Sequence, residues 1–175
     1  ITAPHINYSG YELDSLAFSM NTNKTDLNFD FGFNAFKAGP IDIQRTKISG
    51  DQKNNEMLLT ITAYNEDKKL INVLSQITGN RDELKFKVLQ DSLTFNQEPW
   101  SIPANNEMAY TKNSLKFNDF KISNGKQSVE ITDNLQNVTK EHVALDFKRF
   151  NLADFLSYFN TESTLASGTI NGDFI

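Results

Sequence analysis

The feature that most constrains this chain is a two-residue rhythm of large apolar side chains. In Leu27-Asn28-Phe29-Asp30-Phe31-Gly32-Phe33 every odd residue is apolar and large, while Asn, Asp and Gly occupy the places between. Successive side chains of a strand point to opposite faces, so this spacing puts all four large residues on one face. On a helix the same residues would scatter around the cylinder. The rhythm recurs in Leu16, Phe18 and Met20, then in Ile41 and Ile43, and again in Met57, Leu59 and Ile61. It returns in Leu84, Phe86 and Val88, in Leu93 and Phe95, and in Leu115 with Phe117. Phe120 with Ile122, Val129 with Ile131, and Val143, Leu145 and Phe147 carry it onward, and Leu165, Ile170 and Phe174 close the chain. The expected class is all-β, an antiparallel meander in one β-rich unit over residues 1–175.

The connections agree with a meander. Asn21 to Asp26 and Ala38-Gly39-Pro40 are turn sequences, and Ser123-Asn124-Gly125-Lys126 contains Asn-Gly, a strong hairpin signal. Two segments depart from the alternation. From Asp67 to Thr78, Leu70, Ile71, Val73, Leu74 and Ile77 suit one face of a short helix, against the grain of their β-branched content. From Asn151 to Asn160, Asn151 is placed to cap a helix whose Leu152, Phe155, Leu156 and Phe159 fall at helical spacing. One or two short helices are therefore expected among the strands.

Composition removes several functions. Of 175 residues, 14 are Phe and one is Trp, and the net charge of −5 is spread without a basic patch, so nucleic acid is not an expected partner. Without cysteine there is no disulfide, thiolate metal site or cysteine nucleophile. His5 and His142 stand far apart, outside any triad or ligand spacing, and no phosphate-binding glycine loop occurs. Asp26, Asp30 and Asn34 do not follow a calcium-loop order. No catalytic constellation and no cofactor are expected. The chain opens on Ile1 and closes in mid-pattern on Thr169 to Ile175, so both ends read as cuts within a longer protein. No apolar run is long enough for a membrane helix. Asp14-Ser15-Leu16 and Asp91-Ser92-Leu93 match a short O-glycosylation acceptor pattern. Asn7-Tyr8-Ser9, Asn23-Lys24-Thr25 and Asn137-Val138-Thr139 match the N-linked one.

The C-terminal third carries a family phrase. Val143 to Arg149 runs as a strand into Phe150-Asn151-Leu152-Ala153-Asp154-Phe155-Leu156, and a linker leads to Gly168-Thr169-Ile170-Asn171-Gly172-Asp173. Pro99-Trp100-Ser101-Ile102, then Leu115-Lys116-Phe117-Asn118-Asp119-Phe120-Lys121-Ile122 and Gln127-Ser128-Val129-Glu130-Ile131, add a second phrase. Together these resemble the TamB branch of the AsmA/TamB-like proteins, in the form found in Bacteroidetes. The resemblance implies an internal segment of a large periplasmic protein anchored in the inner membrane, with a taco-like, apolar-lined sheet. It also implies work in outer-membrane biogenesis, through phospholipid transfer between the membranes or with outer-membrane assembly proteins as partners.

The alternating residues supply a physical counterpart. Strands in register turn their apolar stripes into a sheet face, which either closes as a sandwich core or stays open as a groove. An acyl chain lying in a groove gains about 0.8 kcal/mol per buried CH₂, on the order of 10 kcal/mol for a sixteen-carbon chain. The candidate groove residues are Leu16, Phe18, Leu27, Phe29, Phe31, Phe33, Leu59, Ile61, Phe86, Phe117, Ile131, Leu145 and Phe147. Sandwich and groove remain open alternatives from sequence. So does an extracytoplasmic binding module for carbohydrate or protein, in which Trp100 is a sugar-stacking platform beside Asn105-Asn106.

Overall fold

A computed structural model describes residues 1–160 and 162–175. Every strand pairing within its two sheets is antiparallel. The larger sheet follows the chain as a meander: β1 (Thr2–Tyr8), β2 (Tyr11–Thr22), β3 (Leu27–Ala38), β4 (Ile41–Lys53), β5 (Glu56–Asn65), β6 (Lys68–Gly79) and β7 (Glu83–Val88). Two short strands, β8 (Thr94–Phe95) and β9 (Glu98–Pro99), continue beside β6 where β7 has ended, and β10 (Glu107–Thr111) and β11 (Ser114–Asn118) complete the far side. The smaller sheet contains β12 (Lys121–Asn124), β13 (Gln127–Thr132), β14 (Ala144–Asn151) and β15 (Thr169–Phe174), with helix α1 (Leu152–Leu156) directly after β14. The all-β meander expected from the alternation is the fold, and it does not close into a barrel.

Register converts the stripes into a face. Residues directly opposite in an antiparallel pair share a side of the sheet. One row reads Phe18, Phe31, Ile48, Ile61, Val73 from β2 to β6, and a second reads Met20, Phe29, Gly50, Leu59, Ser75, Val88. A third crosses from Leu27 through Gln52, Met57, Ile77, Phe86 and Met108 to Phe117. At about 4.8 Å per strand this third row spans on the order of 30 Å. The opposite face carries rows such as Ser19, Asp30, Ser49 and Thr60, with a Lys47–Asp30 ion pair of 2.7 Å.

The segment from Asp67 to Thr78 is not the helix its spacing suggests but the turn before β6 and most of that strand. Ile71, Val73 and Ile77 sit on the apolar face. Leu70 is the extra residue of a bulge opposite Ala63 and Tyr64, and it is buried. Both edges of β6 are paired, by β5 on one side and by β7 and β8 on the other, and this pairing overrides the helical spacing. The strand β1 escapes the sequence reading because its residues do not alternate in polarity. The second helical segment is real but short, with the Asn151 side chain accepting a hydrogen bond from the Ala153 N–H as N-cap. The Asn-Gly hairpin forms between β12 and β13, with Gly125 at φ +57° in the first central position.

The smaller sheet packs on one end of the apolar face. The buried cluster holds Val88, Leu93, Trp100, Ile102 and Phe150, with Val73, Phe86, Phe95, Phe120 and Phe147 against it, and no residue of β1 to β5 belongs to it. Asp133, just after β13, staples the sheets by accepting from the Phe117 N–H (3.3 Å) and pairing with Lys116 (2.9 Å). Desolvation opposes the charge on Asp133, but the Lys116 ammonium and the Phe117 N–H outweigh it and hold the carboxyl below its ordinary value. Lys116 is correspondingly raised, by its hydrogen bond and charge interaction with Asp133.

Two predictions follow from this packing. A methyl group at Gly50 would run into the ring of Phe29 directly opposite, so Gly50→Ala should destabilise the sheet by about 1–3 kcal/mol in urea unfolding. The depressed pKa of Asp133 means its contribution is present above the ordinary carboxylate pKa and is lost as pH falls through the lower, folded value. Asp133→Asn should therefore flatten the acid limb of stability against pH, and an unchanged limb would contradict the staple.

Candidate functional site

Between the two sheets lies an apolar cavity of about 470 Å³, partly open to solvent. Phe95 and Trp100 form one wall. The smaller sheet supplies Phe120, Ile122, Val129, Ile131, Leu145, Phe147, Phe150 and Ile170. Helix α1 adds Leu152, Phe155 and Leu156, together with Asp154, the only charged lining residue among the described residues. The volume falls in the range of small-molecule sites.

The candidate groove residues divide into three groups. Ile131, Leu145 and Phe147 line the cavity. Phe86 and Phe117 stand one layer back, with ring centroids 6.0 and 6.2 Å from Phe120, which does line it. Phe18, Leu27, Phe29, Phe31, Phe33, Leu59 and Ile61 lie on the β2–β5 part of the apolar face, and Leu16 sits on β2 opposite Ala3. None of the candidates is buried: Leu145 is exposed and the others are half-buried. The apolar face is thus a covered site at one end and an uncovered strip at the other, joined where Val73 meets the buried cluster.

Phe150 was outside the candidate set because a two-residue period places it on the face opposite Phe147. The register of β14 against β15 slips between these residues, with Arg149 at φ +49°, and the bulge turns both rings to the same side, 5.3 Å apart. Phe95, Phe120, Ile122 and Val129 were legible as strand residues, but only the packing of the second sheet shows that they enclose a space.

Trp100 is not a sugar platform. It is 5% exposed and held between Phe95 and Phe150, both with ring centroids 5.9 Å away. Its neighbour in that reading, Asn106, is fully buried. The Asn106 amide donates to the carbonyls of Val88 (2.9 Å) and Pro103 (2.7 Å), and its side-chain oxygen accepts from the Val88 N–H (2.9 Å). It ends β7 by replacing a strand partner, which is a structural role.

A strap crosses from the smaller sheet to the larger one. Gln127 fixes its start, accepting from the Asn151 N–H (3.0 Å) and donating to Asp154 (2.8 Å). After α1, the Phe159 carbonyl accepts from the Asp42 N–H (2.6 Å), the Asn160 amide donates to the Pro40 carbonyl (2.8 Å), and the Tyr158 and Thr46 hydroxyls meet at 3.2 Å. Thr46 belongs to the apolar face, in the row of Phe33, Ala63 and Ile71. The strap therefore lies at the border between the cavity and the uncovered strip.

The two histidines keep local partners. His5 pairs with Asp14 across the β1–β2 hairpin, while His142 accepts from the Leu135 N–H and contacts the Lys140 carbonyl. Of the glycosylation-type matches, the Ser92 hydroxyl donates to the Leu89 carbonyl (2.6 Å), whereas Ser15 and Thr25 are exposed.

The single tryptophan should emit at shorter wavelength in the folded chain than in the unfolded one and resist quenching by acrylamide. Asn106→Ala strands the Val88 N–H and C=O, and should cost about 2–5 kcal/mol in chemical denaturation. Comparison of the chain with protein-family models, with curated proteins and with solved structures finds no match.

Proposed function

We propose that this chain is a non-enzymatic segment of a TamB-like envelope protein, and that its apolar face carries phospholipid acyl chains between the inner and outer membranes. The observation that carries the proposal is the unbroken apolar row Phe18, Phe31, Ile48, Ile61, Val73, half-buried along its length and running into the inter-sheet cluster. A transfer path requires continuity of apolar surface more than directional contacts, because a hydrocarbon tail gains by leaving water and makes no hydrogen bond. An apolar strip of several strands is also larger than an ordinary soluble surface keeps without a use. The family phrases at Trp100 and at Asn151 to Phe155 support the assignment independently of the face. In the same reading the parent protein is periplasmic and anchored in the inner membrane, and its other clients are proteins of outer-membrane assembly.

Photo-crosslinkable phenylalanine at Phe31 or Phe117 in the full-length parent should yield lipid adducts in cells. The same residue at Asp30, on the polar face, should yield none. Blank results at Phe18, Phe31, Ile61 and Phe117 together would end the lipid-path proposal.

A further inference from the structure

We infer that Asn124 is a site of spontaneous covalent modification, in which its side chain closes onto the Gly125 nitrogen with loss of ammonia, and that the product unfastens β12 from the segment Pro99 to Ser101. The inference does not depend on the acyl-chain reading. Asn-Gly occurs twice in the sequence, at Asn124-Gly125 and at Asn171-Gly172. Glycine permits the reaction because no Cβ hinders the approach of its nitrogen to the preceding side chain. The fold treats the two steps differently. Asn171 and Gly172 lie inside β15, with Gly172 opposite Phe147, and the Asn171 side-chain oxygen accepts from the Arg149 N–H (2.8 Å). Ring closure there has to open the strand as well as that hydrogen bond. Asn124 is instead the last residue of β12, paired with Gln127, and Gly125 beyond it is exposed and outside the strands. Ring closure at Asn124 has to open only the end of one hairpin and a single side-chain bond.

The chemistry balances with water as the sole co-reactant. The Gly125 nitrogen loses its proton to solvent and bonds to the Asn124 Cγ. The Cγ–Nδ2 bond breaks, and Nδ2 leaves as ammonia. Water then opens the cyclic imide at either carbonyl, giving aspartate or its β-linked isomer. The lost amide is a donor in the fold, from Asn124 Nδ2 to the Pro99 carbonyl (3.1 Å). Beside it, Ser101 and Ser123 exchange two backbone hydrogen bonds (2.8 and 2.9 Å), and the Ser101 hydroxyl donates to the Ser123 carbonyl (3.1 Å). These contacts join β12 to the segment that carries the buried Trp100. A carboxylate has no hydrogen to give a carbonyl, so the product sets two acceptors against each other. The β-linked isomer also lengthens the main chain beside a tight loop whose length fixes the hairpin register.

The purified chain is incubated at warm, mildly alkaline pH and followed by peptide mass mapping, with isoaspartyl methyltransferase labelling for the β-linked product. In the folded chain Asn124 should convert about tenfold faster than Asn171, the factor set by the additional hydrogen bonds that must open at Asn171. In urea the two should convert at matching rates. Hydrogen exchange at the Ser101 and Ser123 amides should be about threefold or more faster in the converted chain and in Asn124→Asp than in the fresh chain. Asn124→Gln, which would need a larger ring, should stay unmodified over the same period. No conversion of Asn124 in the folded chain, or conversion of Asn171 at the same rate there, would overturn the assignment of the site. Unchanged exchange at Ser101 and Ser123 in the fully converted chain would overturn the unfastening. If Asn124→Asp does not fold, as judged by circular dichroism, the converted chain still decides.

Discussion

Everything in this structure depends on strand register. A slip of one residue in any pairing of the meander would send that strand's apolar residues to the other face. The register is held because each strand contributes its own stripe: Phe18 opposes Phe31, Phe31 opposes Ile48, and Ile61 opposes Val73. Close packing adds a lock where Phe29 lies over Gly50, a position that leaves no room for a methyl group. The resulting face is more apolar surface than the smaller sheet covers. Its partial cover separates a cavity from an open strip.

Where local pattern and pairing agree, the sequence is a reliable guide. Leu27 to Phe33 is a strand with its odd residues on one face, Asn124-Gly125 turns a hairpin, and Asn151 caps a helix before Leu152. Legibility fails where one residue changes the period. Leu70 is a bulge, so the apolar residues of β6 divide between two faces and their spacing imitates a helix. The slip at Lys148-Arg149 does the opposite, bringing Phe147 and Phe150 together although their spacing separates them. A bulge needs no distinctive side chain, since both Leu70 and Arg149 are ordinary strand or surface residues. The cavity was illegible for a different reason. It belongs to the distance between two sheets, and sequence periodicity describes only one sheet at a time.

The polar residues in this apolar setting work mainly as fasteners. Asn106 closes the end of β7, Asp133 joins β11 to the smaller sheet, and Gln127 seats the strap. Each satisfies backbone groups that would otherwise be left without partners at a break in the sheets, which is where a meander is weakest.

The strap also bears on how the chain assembles. In a meander each strand pairs with the one just made, so loop closure at every step is short and the sheet can grow hairpin by hairpin as the chain is delivered from its N-terminus. The contact between Asn160 and Pro40 spans 120 residues and cannot form until β14 and α1 have arrived. Until then the apolar face stands without its border. The strap is thus the closing stitch of the fold, and a chain stopped before residue 151 would hold most of its sheet but present a longer unguarded apolar surface to its neighbours.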